Sequence, residues 1–132
     1  MKNLEEAKEW LKRARSNLAR ARISRASPEM LYEDSCFDAQ QAAEKALKSL
    51  CIAYGIVFPR THSIDYLIEL LEKGDVSVPD EVTNARLLTH YAVETRYPGN
   101  YEPVDETEYL KAVEIAEKAL EWVERRLGVA EL

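Results

Sequence analysis

Residues 32–55, YEDSCFDAQQAAEKALKSLCIAYG, decide how the chain folds. Tyr32, Cys36, Ala39, Ala43, Ala46, Leu50 and Tyr54 recur three or four residues apart, the spacing that puts side chains on one face of an α-helix. Gly55 follows directly, suited to the left-handed residue that ends a helix. Alanines on the stripe allow another helix to approach closely, so a long neighbour packed antiparallel is expected.

That neighbour is upstream. Leu4, Ala7, Leu11, Ala14, Leu18 and Ala21 form a second seam of about three heptads. Between the seams, Ser27-Pro28-Glu29 reads as an N-cap, a proline at the first helical position and an early acid, so the second helix is expected to start there. Downstream, Thr61 or Ser63 caps a shorter helix packing Ile64, Leu67, Ile68 and Leu71, and Gly74 stops it. Pro79 opens a fourth helix with Val82, Ala85, Leu88 and Ala92. Asp105, with Glu108 three residues on, opens a fifth in a capping-box-like arrangement. The seam of this last helix is Val113, Ala116, Leu120, Val123 and Leu127, and Ile115, Ala119 and Trp122 give it a second apolar face. The expected architecture is all-α, an antiparallel up-and-down helical bundle of about five helices, with residues 1–132 as a single domain.

Composition agrees. The chain has 132 residues, 46% hydrophobic and 32% charged, which suits one globular domain and excludes disorder. No stretch approaches the roughly 20 apolar residues of a membrane span. The N-terminus lacks an apolar signal region, so a cytoplasmic location is expected. Cys36 and Cys51 lie on one helix about 22 Å apart and cannot pair. Neither cysteine nor histidine falls at ligand spacing, so no metal is expected. The net charge of −6 is uneven: residues 1–25 hold eight basic side chains against three acidic ones, and the rest of the chain carries the acid excess. A basic first helix meets either phosphate or acidic neighbours, and the second is the commoner use.

Two segments carry binding chemistry. ETRYPGNYEP, residues 94–103, sets Arg96, Tyr97 and Tyr101 among Pro98, Gly99 and Pro103. With Tyr91 just upstream, the set suits a base and a phosphate together. The same residues also read as a helix C-terminus complemented by a cation and capped by amphipathic rings. In PRTHS, residues 59–63, Arg60, Thr61 and His62 precede a helix whose free N–H groups could hold an anion, or His62 simply packs beside the cap. Catalytic motifs are absent: no Gly-rich phosphate loop, nucleophile motif or HExxH, and hence no cofactor expected. The glutamates sit at i, i+3 and i+4 from Lys and Arg, as on solvated helix faces.

DAQQAAEKALKSLCIAYG (38–55), PRTHSIDYLIELL (59–71) and HYAVETRYPG (90–99) resemble, in order, the signature blocks of HEPN domains. The resemblance implies an all-α bundle, commonly a homodimer, that accompanies a minimal nucleotidyltransferase subunit in prokaryotes and binds a nucleotide or substrate. One branch of the family consists of endoribonuclease toxins paired with the nucleotidyltransferase as antitoxin, so the resemblance also admits an RNA ligand. A dimerising scaffold without ligand is the third reading. The ribonuclease branch has an arginine followed after four to six residues by a histidine. Here Arg86 and His90 are three residues apart and Arg60 and His62 one, so the pattern is not met as written, although Arg86 and His90 would share a helical face. The resemblance marks Thr95–Gly99 and Thr61–His62 as binding-site candidates.

Overall fold

The computed structural model describes residues 3–23, 26–93 and 102–129. The helices are α1 (Leu4–Arg22), α2 (Tyr32–Ala53), α3 (Ile64–Lys73), α4 (Asp80–Thr83), α5 (His90–Val93) and α6 (Glu106–Leu127), with a 3-10 segment, Asn84–Leu88, between α4 and α5. No strand occurs among the described residues. The fold is the expected all-α bundle. Taken as one interrupted body, 80–93 is the fourth of five.

The small-residue seams do what their spacing predicts. Ala7, Leu11, Ala14, Leu18 and Ala21 of α1 are buried. The helices come close enough for the Ser49 hydroxyl to donate to the Ala7 carbonyl at 2.6 Å. Contacts Ala7–Ser49 and Asn17–Asp38 show that α1 and α2 are antiparallel. Arg15–Glu124 and Arg22–Glu117 show the same for α1 and α6. Helix α2 is the axis of the molecule: α1, α3, α5, α6 and the 3-10 segment all pack on it. It ends as expected, with Gly55 left-handed at φ 72° and Ile56 N–H closing on the Cys51 carbonyl at 2.8 Å.

Three local expectations are corrected. Helix α2 begins at Tyr32, not at Pro28. The Ser27 hydroxyl and carbonyl accept from the Glu29 and Met30 N–H groups instead, making a turn, and Leu31 is extended. Helix α3 is capped by Ser63 and ends at Gly74, as expected, with Asp75 just beyond in the left-handed position. A Cβ on Gly74 would lie 2.8 Å from Ile56 Cδ1, so the end of that side chain would have to shift. The fourth helix is broken. The Thr83 hydroxyl donates to the Asp80 carbonyl and Arg86 Nε to the Thr83 carbonyl, so side chains compete for the acceptors of the helical ladder. Asp105 caps α6 by accepting from Glu108 N–H, but the Glu108 carboxylate turns to the Tyr91 hydroxyl rather than completing a capping box.

The second face of α6 is also covered. Ile115, Ala119 and Trp122 are buried within the chain, where α4 and the 3-10 segment pack on α6. They offer no free apolar face for a second subunit.

The α1–α2 contact sets the first prediction. Ser49→Ala removes one neutral hydrogen bond, so chemical denaturation should register a loss of about 0.5–1.5 kcal/mol. Ser49→Leu must push α1 away and should cost at least about 1–3 kcal/mol. Equal effects from the two variants would mean that the helices do not touch there. Far-UV circular dichroism of the parent protein should be strongly helical.

Candidate functional site

The site is built outward from α2. Gln40, Glu44 and Lys48 lie one turn apart on one face of the helix, and all three are buried. The Glu44 side chain is only 3% exposed. Gln40 Nε2 donates to Glu44 Oε1 at 2.8 Å and Lys48 Nζ to Oε2 at 2.9 Å. Gln41 Nε2 donates to Gln40 Oε1 at 2.7 Å and holds the amide in place. The Lys48 ammonium lies 5.7 Å from the ring centres of both Trp10 and Phe58. These rings meet edge to face at 6.4 Å, and their electron-rich faces favour a desolvated cation.

The turn at Gly55 sends the chain back along α2, and the start of α3 fixes where it stops. The Thr61 hydroxyl accepts from Ser63 N–H, and the Ser63 hydroxyl from Tyr66 N–H. This brings His62 Nδ1 to 3.0 Å from Glu44 Oε1. An ionised carboxylate only accepts, so Nδ1 carries the proton in this contact. The His62 side chain is 57% exposed, and its other nitrogen, Nε2, is the one left for a ligand. Burial pushes the Glu44 carboxyl up, yet hydrogen bonds from Lys48, Gln40 and His62, with the Lys48 charge, outweigh it and hold the group below the ordinary carboxylate value. A buried anion thus orients an exposed imidazole.

The other candidates are dispersed. Arg60 is exposed beside His62, and Thr61 is half-buried. The N–H groups expected to be free at the start of α3 are largely taken: Ser63, Ile64, Tyr66 and Leu67 bond to Thr61, Thr89 and Ser63. Any anion held there must therefore be held by side chains. Tyr91 is buried, its hydroxyl on Glu108, and burial followed by that carboxylate raises its pKa. Arg86 and His90 do not share a regular helical face, because the 3-10 segment intervenes. Arg86 points to the Thr83 carbonyl at 3.0 Å and to Asp65 at 3.8 Å, whereas the His90 ring lies against Tyr91 at 3.9 Å. Arg96, Tyr97 and Tyr101, with the rest of 94–101, lie outside the described residues. Among the described residues no group of His, Cys, Asp and Glu could hold a metal ion.

Sequence reasoning missed Gln40, Glu44 and Lys48. The Glu44–Lys48 spacing is the same as that of the solvated pairs Glu69–Lys73 and Glu114–Lys118. The available signal was the setting: Ala42, Ala43, Ala46 and Leu47 surround Glu44 on both sides of the helix and are all buried.

Removing the Glu44 charge strands Lys48 in the interior, so Glu44→Gln should destabilise the fold by about 3–5 kcal/mol. Lys48→Met added to it should recover part of that loss. The sign with pH follows from the lowered Glu44 pKa. The stabilisation is present above the unfolded value near 4.5 and is lost as pH falls through the lower folded value. The stability gap between parent and Glu44→Gln proteins in urea unfolding should therefore narrow as pH falls below the unfolded value near 4.5 and close through the lower folded value. A gap that stays constant with pH would remove the charge from the explanation.

Comparison with known proteins gives one family. The HEPN domain profile matches residues 7–126. No curated protein matches the chain. Among solved structures, the crystal structure of ST0689, an archaeal HEPN homologue, superposes with a TM-score of 0.72 at 29% identity, covering 96% of this chain and 99% of that one. The profile takes in most of α1, the whole Gln40–Glu44–Lys48–His62 cluster and nearly all of α6, so the chain belongs to the HEPN domain family.

Proposed function

We propose that this HEPN protein is a nucleotide-binding helical subunit that works beside a minimal nucleotidyltransferase, with His62 as a phosphate contact. The observation that carries the reading is the Glu44–His62 pair. A buried carboxylate that holds Nδ1 of an exposed imidazole leaves Nε2 facing outward, and in the protonated ring Nε2–H is a charge-assisted donor that suits a phosphate oxygen. Arg60 and Thr61 adjoin it in the chain and complete a cationic edge. On sequence grounds Arg96 and Tyr97 of the Thr95–Gly99 block, with Tyr101 beyond it, are further candidates for nucleotide contact. The nucleotidyltransferase partner and a homodimeric state are inferred from family membership alone.

A second reading, the endoribonuclease, draws on the same pair. With Glu44 holding Nδ1–H, a neutral His62 offers Nε2 as a base for metal-independent cleavage of RNA. Arg86 and His90, the pair suggested by the family's ribonuclease pattern, turn to different partners, so His62 is the better placed histidine.

Titration with ATP by calorimetry, with melting curves alongside, tests the first reading. His62→Ala and Arg96→Ala should each weaken binding tenfold or more, the loss of a charge-assisted hydrogen bond worth about 1.5–3 kcal/mol. Arg96→Lys should fall between, and Tyr97→Phe should be tolerated where Tyr97→Ala is not. Unchanged affinity in His62→Ala would reject the site, and absence of ATP binding by the parent would leave the dimerising scaffold. RNA cleavage in the presence of EDTA, abolished by His62→Ala and kept by His90→Ala, would select the ribonuclease.

The homodimer has its own check. Light scattering at high micromolar concentration should give about twice the 15.1 kDa chain mass, and a monomer there would end the proposal.

A further inference from the structure

The cations of α1 are used in two ways. On one edge they are neutralised by α6. Arg15 pairs with Glu124 at 2.5 Å and Arg22 with Glu117 at 2.8 Å, the acidic-neighbour use that the charge pattern suggested. The opposite edge meets α2, and cations gather there. Arg13 and Arg20 are 66% and 61% exposed, and Lys45 stands beside them. Lys45 Nζ donates to Asn17 Oδ1 at 2.8 Å, Asn17 Nδ2 to Asp38 Oδ1 at 3.0 Å, and Arg20 to the same Asp38 oxygen at 2.7 Å. Asp38 and Asn17 thus position two cations on one seam. Arg13 approaches Glu9 only at 3.9 Å, beyond hydrogen-bond length.

Burial does most to push the Lys45 ammonium below its ordinary pKa; Glu44 opposes it, Arg20 and Arg13 push the same way as burial, and Asp38 opposes them. An arriving anion would favour the charged form of Lys45. One turn before Arg13, the Trp10 ring stands edge to face with Phe58. Both line a groove of about 310 Å³ with Ile52, Ile56 and Val57, and Glu6 on its rim. Cations along a seam that ends in an aromatic-lined groove are the parts of a single-strand binding site: phosphates track the charge and a base stacks at the end.

We propose that the α1–α2 seam binds single-stranded nucleic acid, with Arg13, Arg20 and Lys45 on successive phosphates and a base in the groove beside Trp10 and Phe58. The ligand class follows from the nucleotide-binding reading above, but the residues are different ones. Asp38 offsets one of the three cations, Arg20, and leaves Arg13 and Lys45 outside that ion pair. The overall charge of −6 lies mostly elsewhere.

The test is fluorescence anisotropy with a labelled 20-nucleotide single-stranded RNA, titrated at several salt concentrations. Three phosphate contacts predict that log K falls with log salt at a slope of about −2. Arg13→Ala/Lys45→Ala should weaken binding at least tenfold at about 50 mM salt and bring the slope to roughly −0.7. Lys45→Ala removes a donor from Asn17, so Arg13→Glu, on a largely exposed side chain, repeats the test without threatening the fold. Trp10→Ala should weaken binding and leave the slope unchanged. No binding by the parent at low salt, or full affinity and slope in Arg13→Glu, overturns the proposal. If the double variant loses RNA while ATP titration still depends on His62, both sites stand. If ATP binding fails and RNA binding behaves as described, only the His62 reading falls, and the reverse pattern retires only the seam.

Discussion

The arrangement rests on the enclosure of one carboxylate. Helix α2 is packed on nearly every side, with 15 of its 22 residues buried, so its polar side chains must find partners inside the protein. Glu44 sets the strictest demand, because an unpaired buried charge would cost more than a small domain's whole margin of stability. Gln40, Lys48 and His62 meet that demand together. Each then carries a structural duty of its own. Lys48 holds Trp10 and Phe58 around its ammonium, which ties α1 to the segment after Gly55. His62 draws the start of α3 onto α2. The exposed face of His62 is thus a by-product of a buried requirement, since the Glu44 contact fixes its Nδ1 edge.

The same division governs the charge of α1. An exposed ion pair adds little stability, whereas Arg15 and Glu124, each about four-fifths covered, sit where solvent screens them less. The α6 edge therefore uses its cations to hold two helices together. The α2 edge uses one aspartate and one asparagine to position two cations, Arg20 and Lys45, with Arg13 exposed on the same helix as Arg20. Glu44 and Lys45 are consecutive residues of α2, so the two candidate contacts for an anionic ligand adjoin on that helix.

Much of this was legible in the residues. The seams of α1, α2 and α6, the left-handed Gly55 and the caps Ser63 and Asp105 all lie where spacing and residue type put them. These features depend on neighbours within about one helical turn, which is the range that a periodicity or a cap encodes. The misread ends and breaks have local causes too, in Ser27, Thr83 and Arg86, whose side chains and carbonyls offer the backbone alternatives to the helical ladder. Residue type alone does not say which alternative wins.

What the tertiary structure decided was burial and the partnerships that burial forces. Glu44–Lys48 has the spacing of a solvent-exposed pair, and only the closing of α1 and of the 56–63 segment over it makes it interior. The apolar triad Ile115, Ala119 and Trp122 reads as a second surface of α6 until α4 and the 3-10 segment are laid across it. Arg86 and His90 share a face on an ideal helix and part company once that helix breaks. In each case the deciding neighbour is distant in sequence or the regular ladder is lost. A one-dimensional pattern reports which residues share a face of an element, while desolvation depends on what covers that face in space.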